Sequence, residues 1–226
     1  MNVQHFASNE RGRDFVVGDM HGQLSMFLRL LELARFDAAC DRVFSVGDLI
    51  DRGPDSPGCL ALLAQPWFKA VRGNHEDMLI RTWIGRPTNW IANGGRWWSS
   101  VSDAQRALMA QACEALPLVI VVGGGSRRFN VLHAEWFGDD FDLDAGAFLR
   151  DEIQSLLWGR LQIGGFPPDA KPGLSTTYVG HTPVDSVKRI GSHVYIDTGI
   201  SQFGGNLTMI EPLTGATFTT PREVAP

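Results

Sequence analysis

The sequence predicts an α/β fold, and three observations carry that reading. In the first half of the chain, short apolar runs alternate with stretches whose apolar residues recur at helical spacing. Three of those runs end in a glycine followed by aspartate or asparagine. The second half is richer in strand-like runs separated by glycine turns. Strand alternating with helix argues a mainly parallel sheet.

Phe15-Val16-Val17 reads as a strand that ends in Gly18-Asp19, and Leu24, Phe27, Leu28 and Leu31 then follow at helical spacing. Val43-Phe44-Ser45-Val46 repeats the strand pattern and ends in Gly47-Asp48. Past the Pro/Gly-rich stretch from Pro54 to Gly58, Cys59 to Ala64 reads as helix. Phe68 to Arg72 is a third strand ending in Gly73-Asn74, and Met78, Leu79 and Trp83 mark a third helix. Ser102-Asp103-Ala104-Gln105 has the form of a capping box before a helix through Leu116. Leu118 to Val122 and Arg128 to Leu132 flank a glycine turn as a hairpin, with His133 at its exit. Tyr178-Val179 leads to Gly180-His181, Val187 to Ile190 and Val194 to Ile196 flank Gly191-Ser192, and Leu207 to Ile210 with Ala216 to Thr219 form a last hairpin. No repeat, linker or low-complexity tract interrupts the 226 residues, so a single domain over residues 1–226 is expected.

Bulk properties exclude several classes. The net charge of −5 does not indicate a nucleic-acid backbone as partner. Apolar residues are 44% of the chain, enough for a core, yet no run approaches the roughly 20 needed to span a membrane. The first seven residues lack the basic and apolar regions of a signal peptide. Cys40, Cys59 and Cys113 are odd in number and scattered, which argues against a disulfide framework and for the cytoplasm.

Chemistry gathers in five places: Gly18-Asp19-Met20-His21-Gly22, Gly47-Asp48-Leu49-Ile50-Asp51-Arg52-Gly53, Gly73-Asn74-His75-Glu76, Val131-Leu132-His133 and Gly180-His181-Thr182-Pro183. In open sheets, ligands collect beyond the carboxyl ends of strands, where these motifs fall. Hard divalent cations favour carboxylate oxygen, and imidazole suits manganese, iron and zinc. Asp19 and His21, two apart, can face one ion, Asp48 can bridge two, and Asn74 offers a neutral amide oxygen. Taken singly, such an aspartate is usually a turn or helix cap, and such a histidine a surface or satisfied core residue. Glu76 reads as a first-turn helix carboxylate, Glu135 has no assignment, and His5 and His193 match no motif.

In their order, from about Asp14 to about Asn206, these motifs resemble the serine/threonine protein phosphatases of the metallophosphoesterase superfamily, in the compact bacterial and phage branch. The resemblance implies a two-sheet β-sandwich flanked by helices, the calcineurin-like metallophosphoesterase fold. It implies two divalent ions, Mn²⁺ by family habit with Fe or Zn fitting the same ligands. Asp19, His21 and Asp48 would hold one ion, and Asp48, Asn74, His133 and His181 the other. It implies direct attack on phosphorus by a hydroxide bridging the metals, with His75 as general acid, Asp51 holding its other nitrogen, and Arg52 and Arg160 clamping phosphate oxygens. Arg160 lies in Trp158-Gly159-Arg160, an element of the bacterial and phage members, as is the stretch Trp90 to Trp98, which reads either as groove lining or as aromatic core. The expected substrate is a phosphoserine or phosphothreonine protein, with phosphotyrosine as a further substrate left open, acted on by a monomer without a regulatory subunit. Two other classes compete: a symmetrical diadenosine tetraphosphatase-like nucleotide hydrolase, which departs at the Asp-Arg-Gly and Asn-His-Glu positions, and a non-catalytic phosphoprotein-binding module, which requires loss of a ligand or of the acid.

Overall fold

The computed structural model describes residues 2–166, 171–202 and 205–221. Its eleven strands form two mixed sheets with helices on both outer faces. One sheet carries β11(Thr217–Pro221), β10(Asn206–Ile210), β2(Asp14–Val17), β3(Arg42–Ser45) and β4(Phe68–Ala70), in that order. The other carries β1(Val3–Phe6), β5(Val119–Val122), β6(Phe129–Leu132), β7(Thr176–Val179), β9(His193–Tyr195) and β8(Lys188–Ile190). Pairing is parallel for β2–β3–β4 and for β6–β7–β9, while the hairpins β5–β6, β8–β9 and β10–β11 are antiparallel.

The two-residue period of a strand divides the core. Phe15 and Val17 of β2, with Val43 of β3, face the helices α1(Leu24–Leu33), α2(Ser56–Ala61), α3(Asn74–Trp83) and α4(Asp103–Ala115). Val16 and Phe44, the alternate residues, meet Ile120, Val131 and Tyr178 between the sheets. Val119, Val121 and Leu132 face outward, toward Leu143 of α5(Asp140–Ala145) and Leu156 and Leu157 of α6(Arg150–Trp158). Both faces of the central strands are therefore buried, which explains their continuous apolar runs.

The structure departs from the sequence reading at several elements. Val3–Phe6 forms a strand that pairs with β5 across a long sequence separation, and nothing local announces it. On α1, Met26, Phe27 and Leu30 are buried, whereas Leu28 is 47% exposed, because the helix seats one position round from the periodic set. The third helix begins at Asn74, well before its first apolar residue. The capping box before α4 is present, Ser102 accepting from the Gln105 backbone. No helix among the described residues is long and apolar enough to cross a membrane.

One buried carboxylate ties strand ends to helix. Glu76, fully buried in the first turn of α3, accepts the backbone N–H of Gly73 and Asp48 on one oxygen and of Leu49 on the other, each at 2.9 Å. It is a first-turn carboxylate, and it also fixes the turn that follows β3. Glu76→Ala leaves three buried donors unpaired and is expected to cost about 3 kcal/mol. That should lower the thermal midpoint by roughly 6–12 °C; a midpoint within about one degree of the parent would remove this role.

Candidate active site

Parallel pairing brings the carboxyl ends of β2, β3 and β4 to one edge of their sheet, and those of β6, β7 and β9 to one edge of the other. The turns leaving these ends meet. Met20 and His21 donate their N–H to the Asp48 carbonyl at 3.1 and 2.8 Å, and Gly22 donates to Leu49 at 2.8 Å. The His181 N–H reaches both oxygens of Asp19, at 3.1 and 3.3 Å.

These turns require unusual backbone. Among the described residues, six that are not glycine have positive φ: His21, Arg35, Asp48, Asp51, Arg52 and His181. Five of the six are candidate site residues. Each such conformation costs on the order of 1–3 kcal/mol and persists only where its surroundings over-determine it. Here the crossed backbone bonds and the Glu76 latch do so.

Asp19, His21, Asp48, Asn74, His133 and His181 are all buried and close together. The Asp48 carboxylate stands at the centre. Its Oδ1 accepts the His75 N–H at 3.0 Å and lies 3.5 Å from His133 Nε2, while Oδ2 lies 3.7 Å from His21 Nε2 and 3.8 Å from His75 Nε2. Asn74 Oδ1 lies 2.8 Å from His133 Nε2 and 3.1 Å from His181 Nδ1.

Hydrogen bonding sets the tautomers. His133 Nδ1 faces the Val46 carbonyl at 2.8 Å and His21 Nδ1 faces the Ile50 carbonyl at 3.0 Å, so each must donate there. Burial pushes the pKa of His21 down to about 3, that of His181 to about 3, and that of His133 below its usual value. In neutral rings the opposite nitrogens of His21 and His133 then carry lone pairs; that of His133 faces the oxygens of Asn74 and Asp48 at 2.8 and 3.5 Å, while that of His21 accepts from Arg52 at 2.7 Å with Asp48 3.7 Å away. A lone pair set against oxygen acceptors, as at His133, is an arrangement that a cation organises. The carboxylates give the same indication. Burial, with Asp197 and Asp48 nearby, drives the Asp19 pKa well up, a repulsion that a cation relieves. The donor set of carboxylate, amide oxygen and imidazole therefore fits divalent ions.

His75 differs from its neighbours. Its Nδ1 lies 2.6 Å from Asp51 Oδ2, and both side chains are buried. Burial lowers its pKa, but the carboxylates of Asp48 and Asp51 outweigh that and leave it above the usual histidine value. Arg52 is exposed at the rim, 2.7 Å from His21 Nε2 and 3.3 Å from Ser201 Oγ. Arg160, also exposed, reaches the His181 carbonyl at 3.4 Å. All ten sequence-derived candidates thus lie in one cluster or on its rim.

Sequence reading missed three features. Asp197 is a buried carboxylate after β9; burial, set against the Gly199 N–H that it accepts, raises its pKa to about 6. The same strand-then-aspartate pattern as at Asp19 and Asp48 could have flagged it. Glu135 accepts the N–H of Leu161 and Gln162 at 2.8 and 2.9 Å, fixing the turn that bears Arg160. The stretch Trp90 to Trp98 packs as aromatic core, with Trp90 fully buried, but it also donates into the site through Trp90 and Trp97. His193 is a buried histidine whose Nε2 accepts the Trp136 N–H.

A family model described as calcineurin-like phosphoesterase matches residues 15–209. Serine/threonine-protein phosphatase 1 of Salmonella typhimurium is 37% identical over 204 residues, covering 86% of this chain and 89% of that protein. A symmetrical bis(5'-nucleosyl)-tetraphosphatase of Aggregatibacter actinomycetemcomitans is 28% identical over 149 residues, 63% of this chain and 51% of that protein. A solved structure assigned, as a proposal, to a diadenosine tetraphosphatase covers 99% of each chain with a TM-score of 0.75 at 22% identity, a likeness of fold.

The closeness of the two sheet edges is itself testable. A Cβ at Gly180 would collide with the Asp19 carboxylate and come within 2.6 Å of Val46 Cγ2. Gly180→Ala removes no candidate ligand, yet it is expected to weaken Mn²⁺ binding about 10- to 100-fold by calorimetry, with an unchanged circular dichroism spectrum. Affinity at the parent level would mean that the edges part freely.

Proposed function

Because this chain belongs to the calcineurin-like phosphoesterase family, a family with a dinuclear metal centre, we propose that it is a protein phosphatase hydrolysing phosphoserine and phosphothreonine. The observation that carries the reading is the buried Asp51–His75 pair beside the ligand cluster. A serine alkoxide is a poor leaving group, so a held proton donor is what its release needs. The 37% identity with a bacterial serine/threonine phosphatase over most of both chains supports the same conclusion.

In this reading Asp19, His21 and Asp48 hold one divalent ion, and Asp48, Asn74, His133 and His181 the other; Mn²⁺, Fe and Zn all suit these donors. When bound, the ions acidify a water molecule and offset phosphate charge. The chain's own groups do the rest. Arg52 and Arg160, at the rim, offer planar guanidinium forks to the phosphate oxygens. Asp51 accepts from His75 Nδ1, fixing the ring so that Nε2 faces the cluster and can deliver its proton to the departing oxygen. Asp48 orients the acid as well, by accepting its backbone N–H. The cysteines have no part: Cys59 and Cys113 are free and buried, and burial raises both thiols above their usual range. Free thiols support a reducing, cytoplasmic compartment, and the net charge of −5 does not point to a nucleic-acid partner; the reading is of a monomer that acts on phosphoproteins without a regulatory subunit.

The nucleotide hydrolase is the second reading, favoured by the 28% identity with a bis(5'-nucleosyl)-tetraphosphatase. After loading with Mn²⁺, kcat/KM for a phosphoserine peptide is expected to exceed that for diadenosine tetraphosphate; the reverse order would select the nucleotide reading. Asp48→Asn should lose metal and turnover together, as followed by elemental analysis and by rate, and full retained activity would remove Asp48 from the site. His75→Ala should keep its metal and lose about 10²- to 10⁴-fold in kcat on phosphoserine. The loss should be smaller on nitrophenyl phosphate, whose leaving group needs no proton; equal losses would show that His75 is not the acid.

A further inference from the structure

Asp51 receives more donors than a residue that only holds His75 requires. Its side chain is completely buried, and its backbone lies in the left-handed region at φ 75°. The backbone N–H of Asp51 donates to Ser56 Oγ at 2.8 Å. On the carboxylate, Oδ2 accepts from His75 Nδ1 and from Trp90 Nε1, both at 2.6 Å, and Oδ1 accepts from Trp97 Nε1 at 2.6 Å. Three short bonds on two oxygens determine the plane of the carboxylate.

The choice of indole matters. Its N–H is a donor only, with no acceptor and no titration near neutral pH. It stabilises the carboxylate without competing for the histidine's proton, and it cannot rotate to offer a lone pair as a hydroxyl could. The rings are themselves braced: Trp90, Trp97 and Trp98 meet edge to face at 5.5–6.2 Å. Two glycines let the segment close on the site. At Gly94, with φ 121°, a Cβ would come within 2.8 Å of Arg52 N and 2.9 Å of Asp51 Cβ. At Gly95 it would come within 2.6 Å of the Trp90 indole.

We propose that Trp90 and Trp97 are positioning residues that lock the Asp51 carboxylate in plane, so that His75 Nε2 is aimed at the leaving-group oxygen. This rests on the reading of His75 as the proton donor. Without the two indole donors, Asp51 keeps one side-chain partner at a buried carboxylate, and His75 gains freedom to swing. The effect belongs to proton delivery, so substrates whose leaving group needs a proton should feel it.

Trp97→Phe and Trp90→Phe each keep an aromatic ring and delete one N–H. The readout is the ratio of kcat on a phosphoserine peptide to kcat on nitrophenyl phosphate, taken on one Mn²⁺-loaded preparation, so that any unfolded fraction cancels. Trp97→Phe is expected to lower that ratio about tenfold, with KM changed less than about twofold and bound metal unchanged. Added to His75→Ala, it should lower the ratio no further. A parent ratio in both tryptophan variants, with a lowered ratio in His75→Ala, overturns the positioning role and leaves the acid in place. A parent ratio in His75→Ala overturns the acid assignment, and the positioning role with it.

Discussion

Asp48 is held from several directions at once, and the site is arranged around that restraint. Its N–H is bound by Glu76, its carbonyl receives the amides of Met20 and His21, and one carboxylate oxygen accepts the amide of His75. Its backbone is forced to φ 50°. Those bonds come from the β2 turn and from α3, so the carboxylate registers the elements of its own sheet against one another. The His133 imidazole, arriving from the other sheet, then finds it at 3.5 Å. A β-sandwich has no intrinsic reason to align the edges of its two sheets to within ångströms. Here the alignment is imposed by turns that cross-bond and by glycines that leave no room for a Cβ.

Burial does opposite things to chemically similar groups in this site. Three histidines are stripped of charge by desolvation, which leaves lone pairs for a cation. The fourth, His75, lies between two carboxylates that outweigh burial and raise it above the usual histidine value. Environments that push like groups apart are how acid, base and ligand roles are separated within a few ångströms. The carboxylates divide in the same way. Burial raises Asp48, but His133, His75 and His21 outweigh it and hold the group below the usual carboxylate range, whereas burial and neighbouring charge drive Asp19 and Asp197 up. Buried carboxyl groups crowded beside imidazoles make a donor set that fits divalent cations.

Around this cluster, the supporting residues share a chemistry. Glu76 and Glu135 spend their carboxylates on backbone amides, and Asp51 spends its own on a histidine and two indoles. Each fixes a turn or a ring rather than facing the cleft. Catalytic geometry has to be held to about half an ångström, and charge-assisted bonds from rigid donors hold it better than packing alone.

The local sequence determined a good deal. Continuous apolar runs mark the strands because both faces of each central strand are buried, and glycine followed by aspartate or asparagine marks their ends because the turn needs positive φ or close approach. Residue types at those ends announce the metal chemistry, and the order of motifs announces the family. Other features depended on contacts far apart in the chain. Val3–Phe6 becomes a strand only because β5, more than a hundred residues on, offers its edge. Asp197 follows a strand as Asp19 and Asp48 do but lacks their glycine, and its burial beside those two carboxylates is a product of the tertiary structure. The indoles of Trp90 and Trp97 read in sequence as groove lining or as aromatic core, and only the tertiary structure turns their N–H groups onto Asp51. A residue's type states what it can bond to, whereas its partner is chosen by packing, which brings together positions that no local spacing relates.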